Sequence, residues 1–129
     1  MTFSARTLQV ISLFPGCAIA QVQNTLAVRR IVPKGIDQTE VYWTYLGFTD
    51  DTQELRTMRL KQLNLIGPAG LVSMEDGIIG SFVQRGIAAA SDFETIVEMG
   101  GSAVETTDTR ASEASIRGLW KAYRHYMGV

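Results

Sequence analysis

The chain carries one cysteine and one histidine, Cys17 and His125, among its 129 residues. That scarcity excludes whole classes of site. No disulfide can close within the chain, and neither a four-cysteine zinc site nor one of paired cysteines and histidines can be assembled. A Rieske iron–sulfur centre, which takes two cysteines and two histidines, is excluded by the same count. Cysteine–histidine nucleophilic catalysis would need Cys17 and His125 to meet, and nothing in the sequence brings them together. An excess of charge is missing as well: 12 Lys and Arg against 13 Asp and Glu give a net charge of -1. The basic residues are scattered, so there is no stripe of the kind phosphate backbones require, and nucleic acid is not an expected partner. Long hydrophobic runs are absent too. Val10 to Phe14 and Cys17 to Ala20 are interrupted by Ser12, Pro15 and Gln21, far short of the roughly 20 apolar residues that span a bilayer. Met1-Thr2-Phe3-Ser4-Ala5-Arg6 has no basic segment followed by a long apolar one, so no signal peptide is expected and a cytoplasmic location follows by default.

What is there is the composition of a globular protein, 46% hydrophobic and 19% charged, in a chain the size of one ordinary domain. A single unit spanning residues 1–129 is the expectation. Leu8 to Phe14 is rich in β-branched and aromatic residues and is closed by Pro15-Gly16, which reads as strand then turn. Cys17 to Gln23 reads as the returning strand, and Thr25 to Val32 as a third, ended by the turn at 33–37. Glu40 to Phe48 is a fourth, with large side chains on both faces, the pattern of a strand covered on both sides. Because strands begin almost at Met1, the first should be an edge or lack a neighbour.

After Asp50 the period changes. Asp51 with Glu54 resembles a capping box, and Gln53 to Leu65 consists of good helix formers. Gly67-Pro68 should stop that helix. A second helix is expected from about Ser73 to Arg85, in spite of Gly77 and Gly80. Residues 88–108, rich in Ser, Thr, Gly and acids, read as a long loop. A last helix should begin near Asp108 or Thr109, with Ile116, Leu119, Trp120, Tyr123 and Met127 as one apolar stripe. Strands followed by helices place the chain in the α+β class.

Ser73-Met74-Glu75-Asp76-Gly77 holds the residues with most chemical interest. Two adjacent carboxylates open a helix that continues with Ile78, Ile79, Phe82 and Val83, so they face partly apolar surroundings. From pattern alone the stronger reading is structural: Ser73 as N-cap with Asp76 in the first turn is a capping arrangement favoured by the helix dipole. Helical spacing does not choose between Glu75 and Asp76. His125 reads as a C-terminal-turn histidine, Cys17 as a small buried hydrophobe, and Trp43, Tyr42 and Tyr45 as core. Arg29, Arg30, Arg56, Arg59 and Lys61 read as solvated faces.

Four stretches together resemble one family. They are Asn24-Thr25-Leu26-Ala27-Val28-Arg29-Arg30-Ile31-Val32-Pro33-Lys34-Gly35, Thr39-Glu40-Val41-Tyr42-Trp43-Thr44-Tyr45, Gly67-Pro68-Ala69-Gly70-Leu71-Val72-Ser73-Met74-Glu75-Asp76-Gly77 and Arg117-Gly118-Leu119-Trp120-Lys121-Ala122-Tyr123. In this order they are similar to the C-terminal part of the catalytic domain of Rieske-type aromatic-ring-hydroxylating dioxygenase large (alpha) subunits. The Gly-Pro-Ala-Gly segment shortly before an acid pair and a glycine is the most specific of them. The resemblance implies a partial helix-grip fold, an antiparallel sheet wrapped around a long helix. It implies oxygen insertion into an aromatic acid at a mononuclear ferrous iron held by two histidines and one carboxylate, an arrangement that leaves open positions for dioxygen. Asp76 then falls at the metal-binding carboxylate, and Ile66 and Val72 fall where the family lines its aromatic pocket. A 2Fe-2S cluster and a nicotinamide-dependent reductase supply electrons in the family, whose members are oligomers, often with a small beta subunit.

The departures are large. The cluster's cysteines and histidines and both iron-binding histidines are missing, and His125 is at neither position, so no catalytic residue is assigned. This chain alone is expected to bind neither iron nor cluster. It is expected to act only with the remaining part of the oxygenase subunit. The alternative is a non-catalytic binding or interaction module that uses the remaining half of a helix-grip cavity.

Overall fold

The computed structural model describes residues 7–90, 94, 96, 100–105, 108 and 112–129. Residues 1–6 and nine residues of the expected loop (91–93, 95, 97–99, 106 and 107) lie outside the described residues. Two compact units make up the chain, residues 1–91 and 92–129. The first holds strands β1 (Leu8–Leu13), β2 (Cys17–Val22), β3 (Thr25–Pro33) and β4 (Thr39–Leu46), then helices α1 (Gln53–Ile66) and α2 (Leu71–Ala89). The second holds helix α3 (Ala114–Met127). Antiparallel strands followed by helices make this an α+β protein, an arrangement consistent with part of a helix-grip fold.

The four strands pair in chain order, β1-β2-β3-β4, every pair antiparallel. Among the described residues β1 is an edge of the sheet, and none of its residues is buried. The register sets the two faces. Val10 opposes Ala20, Ala20 opposes Ala27, and Ala27 opposes Tyr45, so these residues share one face. That is the face α1 covers: the Thr25 hydroxyl donates to Gln62 Oε1 at 2.8 Å, and the Tyr45 hydroxyl donates to the Ile66 carbonyl at 3.2 Å. The small residues Ala18, Ala20 and Ala27 are buried here, and with Leu55 and Ile66 they are the buried apolar residues among those described.

β4 corrects the reading of its large side chains. It is the opposite edge, and Val41, Tyr42 and Leu46 are exposed. Its aromatic rings take cations from the neighbouring strand instead. The Arg29 guanidinium sits 4.0 Å from the centroid of Trp43, which it opposes on one face, and Arg30 sits 5.0 Å from that of Tyr42 on the other. Such contacts contribute about 0.5–1 kcal/mol at exposed sites.

α1 is anchored to the β2–β3 hairpin by polar side chains, and here the sequence reading of Arg59 as solvated is overturned. Arg59 is buried, and its guanidinium grips Asp51 in bidentate fashion, Nε to Oδ2 at 2.9 Å and Nη2 to Oδ1 at 3.0 Å. A third donor of the same group reaches the Asn24 carbonyl. Gln62 extends the anchor by donating to the Val22 carbonyl at 3.0 Å. Asp51 therefore does not cap α1. Thr52 does, its hydroxyl accepting from the Leu55 N–H at 3.3 Å, because Thr and Asp are both good N-caps and the arginine claims the aspartate.

Candidate functional site

The residues singled out for chemistry lie at the junction of α1 and α2. α1 ends at Ile66, and the Gly67 N–H closes its last turn by donating to the Leu63 carbonyl at 2.7 Å. The chain turns through Gly67-Pro68-Ala69-Gly70, where the Gly70 N–H returns to the Gly67 carbonyl at 2.8 Å. A side chain at Gly70 would place its Cβ 2.6 Å from the Leu65 carbonyl oxygen, so only glycine fits the approach. α2 then starts at Leu71 with Gly70 as its N-cap. It begins two residues before the expected start, and Ser73 is inside the helix. Its hydroxyl donates to the Ile66 carbonyl at 3.3 Å instead of capping. The same carbonyl accepts from Tyr45, so one oxygen at the end of α1 ties together β4, α1 and α2. A helix C-terminus leaves its last carbonyls without intrahelical partners, and this one is satisfied twice.

Of the three expected site residues, Ile66 is buried, whereas Val72 is 45% exposed. Asp76 is exposed on α2, one turn beyond Val72. A cleft of about 210 Å³ opens between α1 and the end of β4, lined by Tyr45, Leu46, Leu60 and Leu63 among others. Neither Ile66 nor Val72 lines it. The three lie along one short stretch of chain, with Ile66 buried and Val72 and Asp76 exposed. His125 lies in the other unit, on α3, with its ring 5.2 Å from that of Tyr126. Cys17 is half-buried and free.

α2 explains why the site is open. At 100° per residue, Leu71, Val72, Met74, Ile78, Ile79, Phe82, Val83 and Ile87 spread over an arc about 220° wide, more than twice the stripe of an ordinary surface helix. A helix apolar over most of its circumference belongs in an interior. Yet no residue of α2 is buried; Phe82 is 60% and Ile79 51% exposed. Asp76 and Glu75 both project from within that arc, Asp76 among Val72, Ile79 and Val83. No group of three or more His, Cys, Asp or Glu that could hold a metal ion occurs among the described residues.

No protein-family model matches the chain. Curated relatives do. Over 122 residues, 95% of this chain, it is 56% identical to the terephthalate 1,2-dioxygenase terminal oxygenase component subunit alpha 2 of Comamonas sp. Over the same share it is 43% identical to the anthranilate 1,2-dioxygenase large subunit of Burkholderia cepacia and 38% identical to the salicylate 5-hydroxylase large oxygenase component of Ralstonia sp. The chain is a fragment of a Rieske-type dioxygenase alpha subunit. It spans 30% of the length of the first of these relatives and 29% of the other two. Rieske dioxygenases use iron and a 2Fe-2S cluster, and the donors on this fragment do not make up either site. With one cysteine and one histidine the cluster's ligands are short. For the iron, Asp76 is one oxygen donor, and Glu75 beside it is turned about 100° round the helix.

Proposed function

We propose that this dioxygenase fragment contributes Asp76 as the carboxylate corner of a ferrous site and Ile66 and Val72 to the wall of an aromatic pocket. The two histidine corners come from the rest of the subunit, and residues 1–129 belong with it to one catalytic domain. The observation that carries this reading is the position of Asp76 within the apolar arc of α2. Once that arc is covered, an ionised carboxylate among Val72, Ile79 and Val83 loses its water, and burying it costs several kcal/mol unless a cation or donor replaces that water. A divalent metal ion does so, and when bound it supplies the site for dioxygen chemistry. The part left to this chain is to present one oxygen donor and an apolar wall beside it.

The substrate class that fits is an aromatic acid, in keeping with the names of the relatives. The working assembly is then a cytoplasmic oligomer of whole subunits, with a small beta subunit in some members and fed by a reductase. Alone, the fragment neither holds iron stoichiometrically nor hydroxylates. Anaerobic loading with ferrous iron followed by metal analysis is expected to give far less than one iron per chain; one tightly held iron per chain contradicts the reading. Joining the fragment to the remainder of the subunit should restore aromatic-acid-dependent oxygen uptake. Asp76→Ala should abolish that uptake while Glu75→Gln retains it, and the reverse pattern would assign the ligand to Glu75.

A further inference from the structure

We propose that the second unit carries a binding cleft for a small planar aromatic anion, formed by Arg117, Trp120, Lys121 and Arg124 of α3 and by the 101–104 segment facing them. The basic residues recur at i, i+4 and i+7, so their side chains share one face of the helix, with Trp120 alongside. Gly101, Ser102 and Val104 complete the lining of a hollow of about 380 Å³, within the range of small-molecule sites. Arg117 is half-buried and holds the opposite wall in place, its Nε donating to the Ala103 carbonyl at 2.5 Å. Gly101, at φ 118, takes a backbone conformation that side-chain-bearing residues rarely adopt.

Two physical features select the ligand. The first is charge. Among the described residues that line this hollow three are cationic and none is acidic, and Lys121 and Arg124 form no ion pair among the described residues. Lys121 and Arg124 stand one turn apart on the helix and repel each other, so an anion between these two relieves an unfavourable arrangement. Arginine in particular matches the two oxygens of a carboxylate or phosphate. The second is shape. The Trp120 ring, 46% exposed, and the Val104 side chain offer a flat apolar surface beside the charges. A bare inorganic anion would leave that surface uncovered, whereas a ring bearing an anionic group uses both. Carboxylate and phosphate are equally good as the anionic group. No metal is needed, so this proposal stands or falls independently of Asp76.

Calorimetric titration of the 129-residue chain with benzoate, adenosine monophosphate, inorganic phosphate and neutral benzamide tests it. The ring-bearing anions should bind at least tenfold more tightly than phosphate or benzamide, and more weakly as salt is raised. Preference between benzoate and the nucleotide names the anionic group. Lys121→Ala and Arg124→Ala should each weaken binding about two- to fivefold, the range for exposed ion pairs, and Trp120→Ala should remove the advantage of the ring. Lys121 and Arg124 are exposed, so these variants should keep the parent's circular dichroism. Equal binding of benzamide, equal binding of phosphate, no binding at all, or indifference to both basic substitutions would each overturn the proposal.

Discussion

At the scale of single residues, the Asp51–Arg59 pair is where charge and folding are most tightly linked. The Arg59 guanidinium, then the Phe48 N–H, hold the Asp51 carboxyl below the usual carboxylate range, against the opposing effect of burial. A carboxylate whose folded value is depressed contributes stability that is present above its unfolded value, about pH 3.9, and lost as pH falls through the folded value. The urea midpoint of the chain should therefore drop as pH is lowered below about 4. Asp51→Asn should lower the midpoint at pH 7 and flatten that acid limb, leaving the part due to Glu40, which Tyr42 and Lys34 also hold low. A variant with an unchanged acid limb would show that the pair does not couple to folding. Tyr45→Phe is the simpler case. It removes one of two donors from the Ile66 carbonyl and should cost about 1 kcal/mol in chemical denaturation.

Among elements, α1 and α2 differ in what they do for this chain. α1 buries Leu55 and Ile66. Leu55→Ala should cost about 2–4 kcal/mol, the range for a buried leucine. α2 carries larger apolar side chains but buries none, so Phe82→Ala should change stability by less than about 0.5 kcal/mol in the fragment. If the rest of the subunit covers this arc, as the proposed function requires, the same substitution within the whole subunit should be severe. Measuring both variants in both contexts separates a helix that is apolar for burial from one that is merely apolar. Much of the element pattern was legible in the sequence. Turn residues and β-branched runs marked all four strands to within a residue or two, and helix formers marked α1 from its first residue to within one of its last. The start of α2 was misplaced because Ser73 is a good cap by type, while the cramped turn at Gly70 and the satisfied Ile66 carbonyl are properties of three dimensions. The start of α3 at Ala114 was likewise placed too early, since the residues before it carry no strong breaker. β4 was read as covered because pattern records apolarity and not whether a partner is present.

For the molecule as a whole, both sheet edges and most of α2 present groups that ordinarily seek partners. β1 has six residues without a charge, none buried, and an unpaired edge of this kind is a template for pairing. The isolated chain is expected to self-associate. Light scattering across a hundredfold range of concentration should show a rising apparent mass; a constant monomer mass would mean that the exposed faces are tolerated. No described helix is long and apolar enough to cross a membrane.

The sequence by itself determined the α+β order, the strand and helix periods and the scarcity of sulfur and imidazole ligands, because each depends on residue type and local spacing; the kinship with ring-hydroxylating dioxygenases came from the resemblance of four stretches to that family. It could not decide between Asp76 and Glu75. Only the tertiary structure decided that Arg59 is an internal anchor, that one carbonyl binds three elements together, and that α2 stands uncovered. Those depend on which groups meet across many residues of chain, and one-dimensional pattern does not encode such meetings.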